Sequence, residues 1–155
     1  MLKFTRNSVI AFDFKEALSF EGETGPYCQY AAVRANSIFR KLDANSDRAV
    51  LRAEDSDRIK SILSGETGDE VWSLLVLAAR LEEANAQAAA GAEPAVLAKY
   101  TFNLAKAFNL FYHRHRIIAE EDDVKRAVLI TVADYTRGQL IKALGTLGIS
   151  VPERM

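Results

Sequence analysis

The apolar residues of this chain recur every three or four positions over several long stretches. One stripe comprises Leu97, Tyr100, Leu104, Phe108 and Phe111, and a second comprises Val128, Val132, Tyr135, Leu140, Leu144 and Leu147. Such spacing places side chains on one face of an α-helix. We therefore predict two long helices, one over residues 95–115 and one from a capping Asp122 or Asp123 to Gly148.

Two more helices are predicted upstream. Pro26 suits the first turn of a helix over residues 27–42, because the amide hydrogen that proline lacks would have no partner in that turn. Residues 71–90 show helical spacing again and form another helix. Residues 43–68 are polar and rich in turn formers, so we expect at most a short helix around residues 58–63.

The composition favours the same fold class. Ala, Leu, Glu, Lys and Arg dominate while Gly and Pro are sparse, which predicts an all-α helical bundle in one domain. Residues 10–14 alternate like a short strand that has no second strand to pair with, so we expect a short extended N-terminal segment left from a larger protein. No apolar run approaches the roughly 20 residues that cross a bilayer, and the start is too polar for a secretory signal. We expect a cytoplasmic protein.

The charges are balanced overall but unevenly spread. The formal net charge is −1, which disfavours a histone-like nucleic-acid binder. Residues 1–42 carry six Lys or Arg against four Asp or Glu, residues 43–94 five against eleven, and residues 95–155 nine against six. If RNA binds, we expect the basic ends to hold it and the acidic middle to face solvent or a protein neighbour. The alternative is that these charges are only solvated helix faces.

One candidate site lies on the first predicted helix. Tyr27, Tyr30 and Arg34 fall within roughly 60° of one another around the helix axis, beside the core-facing side. Two aromatic rings and a guanidinium group can stack on unpaired bases and bond phosphates, as in many RNA-loop binding sites. The alternative is two tyrosines that border the core and an arginine on the surface.

A second candidate site interleaves aromatic and basic residues at the end of the helix over residues 95–115. It spans residues 108–116, and its candidate contact residues are Phe111, Tyr112, His113, Arg114 and Arg116. Stacking and phosphate contacts are both available there. Alternatively, Phe111 packs in the core and the cations interact with the dipole at the helix C-terminus. His113 and His115 would point to different faces of the helix, so we expect no metal between them.

No catalytic constellation stands out in the sequence. Residues 65–68 have the composition of a turn and lack the lysine of a phosphate-binding loop. Asp122 and Asp123 are explained as helix caps rather than as a catalytic pair. Cys28 is the only cysteine, which excludes an intrachain disulfide and a cysteine-held metal.

Three separated motifs resemble a known family. The segment LSFEGETGPYCQYA over residues 18–31, together with Arg34, resembles the sequence that opens the anticodon-binding domain of arginyl-tRNA synthetases. Phe108-Asn109 with Phe111-Tyr112, and the ending from Leu147 to Met155, resemble later helices and the C-terminus of that domain. Where this chain has Cys28 and Ala32, many relatives carry Leu and His. The resemblance spans nearly the whole chain, and the order of the motifs is the same.

The resemblance implies a helical bundle of the class Ia aminoacyl-tRNA synthetase type that grips the anticodon stem and loop of arginine tRNA. Residues 21–155 would form this DALR-type domain, and residues 1–20 would be a remnant of the junction with the catalytic domain. By the same resemblance, Tyr27, Tyr30 and Arg34 would lie against the anticodon loop and Met155 would support that surface. The second site around Phe111, Tyr112 and His113 transfers less directly, since its aromatic rings can also hold the helices together.

The nucleotide-binding fold and its motifs for ATP have no counterpart in the sequence. We therefore expect no cofactor in this chain, because ATP and arginine would bind the absent catalytic domain, and we expect no aminoacylation by the chain alone. Two alternatives remain: the chain is the docking half of a split synthetase whose catalytic domain is a separate subunit, or it is a repurposed helical protein-interaction domain. Neither DNA nor a membrane is an expected partner.

Overall fold

The computed structural model describes residues 5, 7, 9, 14, 22–44 and 50–155. In this part of the chain the α-helices are α1 (Gly25–Ala44), α2 (Ser56–Leu63), α3 (Glu66–Ala79), α4 (Leu81–Ala90), α5 (Pro94–Arg114) and α6 (Asp123–Thr146). Short 3-10 turns lie at Ala53–Asp55 and Ile117–Ala119. No β-strand occurs among these residues, and the predicted all-α bundle is confirmed.

The predictions for the start of the chain fall almost wholly outside the described residues. Of the strand expected over residues 10–14, only Phe14 is described, and its backbone is helical. The boundary expected between residues 20 and 21 is also outside them. Among the described helices, none is both long and apolar enough to cross a membrane.

One apolar core lies between α1, α3, α5 and α6. Phe108 of α5 is fully buried there, and Ile38 of α1 and Leu140 of α6 lie beside it in the same buried cluster. The predicted stripes of α5 and α6 supply much of this core. Tyr135 is an exception, because the structure leaves it 42% exposed instead of in the core stripe.

The turn predicted over residues 65–68 is wrong, since α3 begins at Glu66. Gly68 lies buried in the first turn of α3, against the end of α2. A Cβ atom at Gly68 would stand 1.9 Å from the carbonyl oxygen of Leu63. The glycine that suggested a turn is therefore required for the close approach of α2 and α3.

The single helix predicted over residues 71–90 is also wrong, because the chain breaks at Arg80 between α3 and α4. The backbone N–H of Arg80 donates to the carbonyl of Leu77, which tightens the last turn of α3. The hydroxyl of Tyr100 on α5 donates to the carbonyl of Ala78 at 3.0 Å, and burial raises the pKa of this tyrosine to about 12. A carbonyl freed at the helix end thus has a partner from another helix.

Both ends of α6 follow the sequence prediction. The Asp122 carboxylate accepts hydrogen bonds from the backbone N–H groups of Val124 and Lys125, each at 3.0 Å, and so caps the helix. At the other end Gly148 adopts φ of +74°, and the N–H of Ile149 donates to the carbonyl of Leu144. This left-handed glycine closes the helix and turns the chain back towards α1.

Candidate nucleic-acid interface

The two candidate sites meet where α1 packs alongside α5. The rings of Tyr27 and Phe102 lie 5.2 Å apart between centroids, and Arg34 binds Asn109. Phe102 lies as many residues after Tyr27 as Asn109 lies after Arg34. Because the contacts advance in the same direction along both helices, α1 and α5 run parallel. Tyr30 lies between these two contacts on α1, and its ring is 45% exposed.

Arg34 is the centre of the site. One of its terminal nitrogens donates to Oδ1 of Asn109 and the other to the hydroxyl of Tyr30, both at 2.8 Å. Its Cζ atom lies 4.6 Å from the centroid of the Tyr30 ring and 5.1 Å from that of Tyr112. These contacts fix the guanidinium group between two aromatic rings, where cation–π attraction adds to the hydrogen bonds. A guanidinium group has five N–H donors, so donors remain for a ligand.

A cavity of about 380 Å³ opens beside Arg34. Its walls come from α1, from the end of α5 and from the 3-10 turn that follows, and they comprise Arg34, Tyr112, His113, His115, Arg116, Ile117, Ile118 and Ala119. Cationic and aromatic side chains thus stand next to an apolar surface. This combination suits a planar ring that carries hydrogen-bond acceptors.

Glu70 of α3 anchors the end of α5. Its carboxylate binds the guanidinium group of Arg114 and lies 2.7 Å from Nε2 of His115. Burial alone would raise the pKa of the Glu70 carboxyl, but the hydrogen bonds and charges of Arg114 and His115 outweigh it and lower this pKa below its ordinary value. The ring of His115 also packs 4.9 Å from that of Phe111.

The structure brings together only some of the predicted site residues. Tyr30, Arg34 and Tyr112 form one cluster, and His113 and Arg116 line the cavity beside it. Tyr27 borders the same edge but is only half-exposed against Phe102. Phe111 lies in the core at 4% exposure, and Arg114 is bound to Glu70. The alternative of core packing therefore applies to Phe111.

The described contacts do not join Met155 to this cluster. The tail that leads to it follows α1, where Gln29 donates to the carbonyl of Ser150 at 2.8 Å and Arg40 to that of Glu153 at 3.3 Å. Gln29 and Arg40 face a direction roughly 100° around α1 from Tyr30 and Arg34. Met155 itself is 59% exposed.

Sequence reasoning missed two members of the site. Asn109 and His115 lie within the second candidate site but were not among its predicted contact residues. The place of Asn109 three residues before Tyr112 puts both side chains towards α1. His115 lines the cavity through its contact with Glu70, which lies 45 residues away along the chain. No local pattern signals that second contact.

The described residues include neither a reactive thiol nor a group of side chains that could hold a metal ion. The thiol of Cys28 is buried, and burial raises its pKa to about 11, so it is a poor nucleophile. No group of three His, Cys, Asp or Glu side chains within the described ranges could hold a metal ion.

Comparison with known proteins identifies the family of this chain. The DALR anticodon binding domain family matches residues 28–155. The arginine–tRNA ligase of Lactococcus lactis subsp. lactis (strain IL1403) is 37% identical over 154 residues, which are 99% of this chain and 25% of that protein. That of Hyphomonas neptunium (strain ATCC 15444) is 39% identical over 97% of this chain and 24% of its own length.

A solved structure agrees in fold. The arginyl-tRNA synthetase of Thermus thermophilus aligns with a TM-score of 0.72 and 31% sequence identity, over 93% of this chain and 23% of that one. The chain thus spans about a quarter of the length of these relatives. The family expected from the three sequence motifs is confirmed: the chain belongs to the DALR anticodon binding domain family, in the form found in arginyl-tRNA synthetases.

Proposed function

We propose that this chain is a tRNA-binding module that recognises the anticodon stem-loop of arginine tRNA. The observation that carries the proposal is the Arg34 guanidinium group, fixed between the rings of Tyr30 and Tyr112 at the edge of the cavity. The membership of the family and the names of the relatives support the same function.

The site suits an unpaired base better than a base pair. Tyr30 presents an exposed ring on which a base can stack, and such stacking contributes about 1–3 kcal/mol per base. The free donors of Arg34 then bind acceptor atoms on the Watson–Crick edge of that base, which pairing would occupy. Because Asn109 and the hydroxyl of Tyr30 hold the guanidinium group in place, little side-chain entropy is lost on binding.

The basic side chains of the cavity wall can bind the sugar–phosphate backbone of the RNA next to that base. His113 and Arg116 are exposed beside Arg34 and can bind phosphate oxygens. Phosphate contacts position the RNA without reading its sequence, so Arg34 carries the discrimination and these two residues carry affinity. ATP and arginine have no role at this site; a catalytic domain, in the same or a separate polypeptide, would bind them and use the selected tRNA.

Binding of a labelled anticodon stem-loop of arginine tRNA tests the proposal, beside the same RNA with its central anticodon base changed. We expect tighter binding to the unchanged loop. Arg34→Ala or Tyr30→Ala should weaken that binding about 5- to 150-fold, as the loss of one stacked base implies, and should bring the two RNAs close to equal affinity. Arg52→Ala is the control, because Arg52 is an exposed cation paired with Glu54 outside the site.

Equal binding of both loops by the unsubstituted protein would show that the chain is not an anticodon reader. Absence of RNA binding, together with capture of a separate catalytic subunit, would show that it is the docking half of a split synthetase. Absence of both would leave a helical protein-interaction domain that has kept the fold.

A further inference from the structure

The exposed face of α5 carries basic residues at a regular interval and no acid. Lys99, Lys106 and His113 are spaced seven residues apart, and none of the 21 residues of α5 is Asp or Glu. Seven residues are close to two helical turns, so the three side chains form a row on one face, about 21 Å long. All three are exposed. We call this row the α5 cation row.

The two lysines of the row have no carboxylate partner among the described residues. Across the described ranges, the ion pairs formed by lysine and arginine side chains include neither Lys99 nor Lys106. An unpaired lysine keeps its full charge available to an outside anion. By contrast, Arg114 on the same helix is turned towards α3 and bound by Glu70.

The α5 cation row is continuous with the proposed site. Because α1 and α5 run parallel, the row lies alongside the edge that carries Tyr27, Tyr30 and Arg34. His113 belongs to both, since it also lines the cavity beside Arg34. A ligand that fills the cavity can therefore extend along α5 in the direction of Lys99.

The chemistry of the row favours phosphates over bases. Asn103 and Leu110 lie between its cations on the exposed face, and neither has a ring on which a base could stack. Flexible lysines act as point charges that bind phosphate oxygens without reading sequence. Double-stranded RNA offers such oxygens on its outer surface while its bases are paired.

We infer that the α5 cation row binds the sugar–phosphate backbone of the RNA stem that closes the loop held at Arg34. The inference rests on the proposed function and adds a second contact to it, with Lys99 and Lys106 as the binding residues. The row supplies affinity that depends on salt, whereas the Arg34 cluster supplies discrimination between bases.

The test uses the double variant Lys99→Ala, Lys106→Ala and a matched double variant Lys60→Ala, Lys142→Ala. Lys60 and Lys142 are exposed lysines on α2 and α6, so both variants lose the same charge and residue type. Two RNAs are titrated across a salt series: the anticodon stem-loop, and a hairpin with the same stem and an unrelated loop. Alanine is the best helix former, so the α5 variant should keep its fold, which circular dichroism checks.

The salt dependence of binding is the slope of log K against log[salt]. We expect the magnitude of this slope to be smaller by about 1 to 2 in the α5 variant on both RNAs, because two phosphate contacts are lost. Its preference for the anticodon stem-loop over the hairpin with the unrelated loop should equal that of the unsubstituted protein. The matched variant should keep the original slope.

Each other outcome has a distinct meaning. If the unsubstituted protein prefers the anticodon stem-loop to the unrelated loop and the α5 variant keeps its slope, the inference fails and the proposed function stands. Equal slope losses in both double variants would also overturn it, since net charge rather than the row would then act. If the protein binds both hairpins equally and only the α5 variant loses slope, the row stands and anticodon recognition fails. No binding of either RNA overturns both.

Discussion

The cations in the acidic middle of the chain differ from the lysines of α5 in whether a carboxylate binds them. Between residues 50 and 93, the four described cations Arg52, Arg58, Lys60 and Arg80 each lie within hydrogen-bond reach of a carboxylate. On α5, Lys99 and Lys106 stand on an exposed face without acids. The cations of the first region are held by carboxylates of the protein itself, and the lysines of the second remain available to an outside partner.

This difference teaches that net charge is a poor guide to RNA binding here. A chain with a formal net charge of −1 still presents one face with unpaired cations, because its carboxylates are concentrated elsewhere. The surplus carboxylates of the α2–α4 region repel a polyanion, so RNA should approach from the α1–α5 side. Exposed ion pairs contribute about 0–1 kcal/mol each, so the paired region owes its stability mainly to packing.

The largest effect is expected at Gly68, which tests whether the acidic region is structural. A methyl group there would collide with the backbone of Leu63 and force α2 away from α3. Gly68→Ala should therefore lower the free energy of unfolding by about 3 kcal/mol, at the upper end for overpacking. Chemical denaturation measures this loss.

Gly138→Ala is the matched control, because nothing lies within 4 Å of a Cβ atom at that position in α6. Replacing a helical glycine in open space should stabilise the protein by about 0.5–1 kcal/mol. Equal stability of the two variants would mean that α2 and α3 are not as close as the structure shows. Folded Gly68→Ala protein should keep its anticodon preference, which would assign the acidic region to stability alone.

Glu70 links the acidic region to the proposed RNA-binding side, and its substitution should reduce the difference between the two regions. Glu70→Gln leaves Arg114 and His115 without their carboxylate, so we expect a loss of about 1–2 kcal/mol of stability. The freed Arg114 lies next to His113 at the end of the α5 cation row. The same variant should therefore bind RNA more tightly and with a steeper salt dependence.

The stability lost in Glu70→Gln should depend on pH. The folded protein lowers the pKa of this carboxyl, so its contribution is fully present above the ordinary value of 4.5 and is lost as pH falls through the folded-state pKa. Denaturation curves of both proteins should converge as the pH falls below about 4.5. A constant difference across that range would show that the carboxylate charge is not the cause.

The sequence predicted most accurately what depends on local periodicity. The stripes of α5 and α6 and the cap at Asp122 are visible within a few turns of helix, and the structure has them at the expected places. The break at Arg80 was missed, because residues on both sides of it keep helical spacing and the hydroxyl of Tyr100 that supports it comes from another helix. The turn predicted over residues 65–68 was wrong for the same reason, because the role of Gly68 depends on its contact with α2.

The candidate site shows the same limit. Tyr30 and Arg34 were placed together correctly, because they are one turn apart on a single helix. The contacts of Arg34 with Asn109 and Tyr112 depend on how α1 packs against α5, which no local pattern encodes. Helix periodicity thus identified the residues of each face, but the pairing of the faces required the tertiary structure.

The smallest effect is expected at Asp122, where the paired region joins α6. Its carboxylate caps α6 and also binds Arg58 of α2 at 2.8 Å. Asp122→Ala should cost about 1 kcal/mol, which is typical of a lost helix cap, and should lower Tm by about 2–4 °C. Asp123→Ala is the control, because Asp123 is exposed and pairs only with Arg126 in the next turn. Asp123→Ala should lower the free energy of unfolding by only a few tenths of a kcal/mol. Both variants should bind RNA like the unsubstituted protein; a change in anticodon preference in either one would mean that the paired region takes part in recognition.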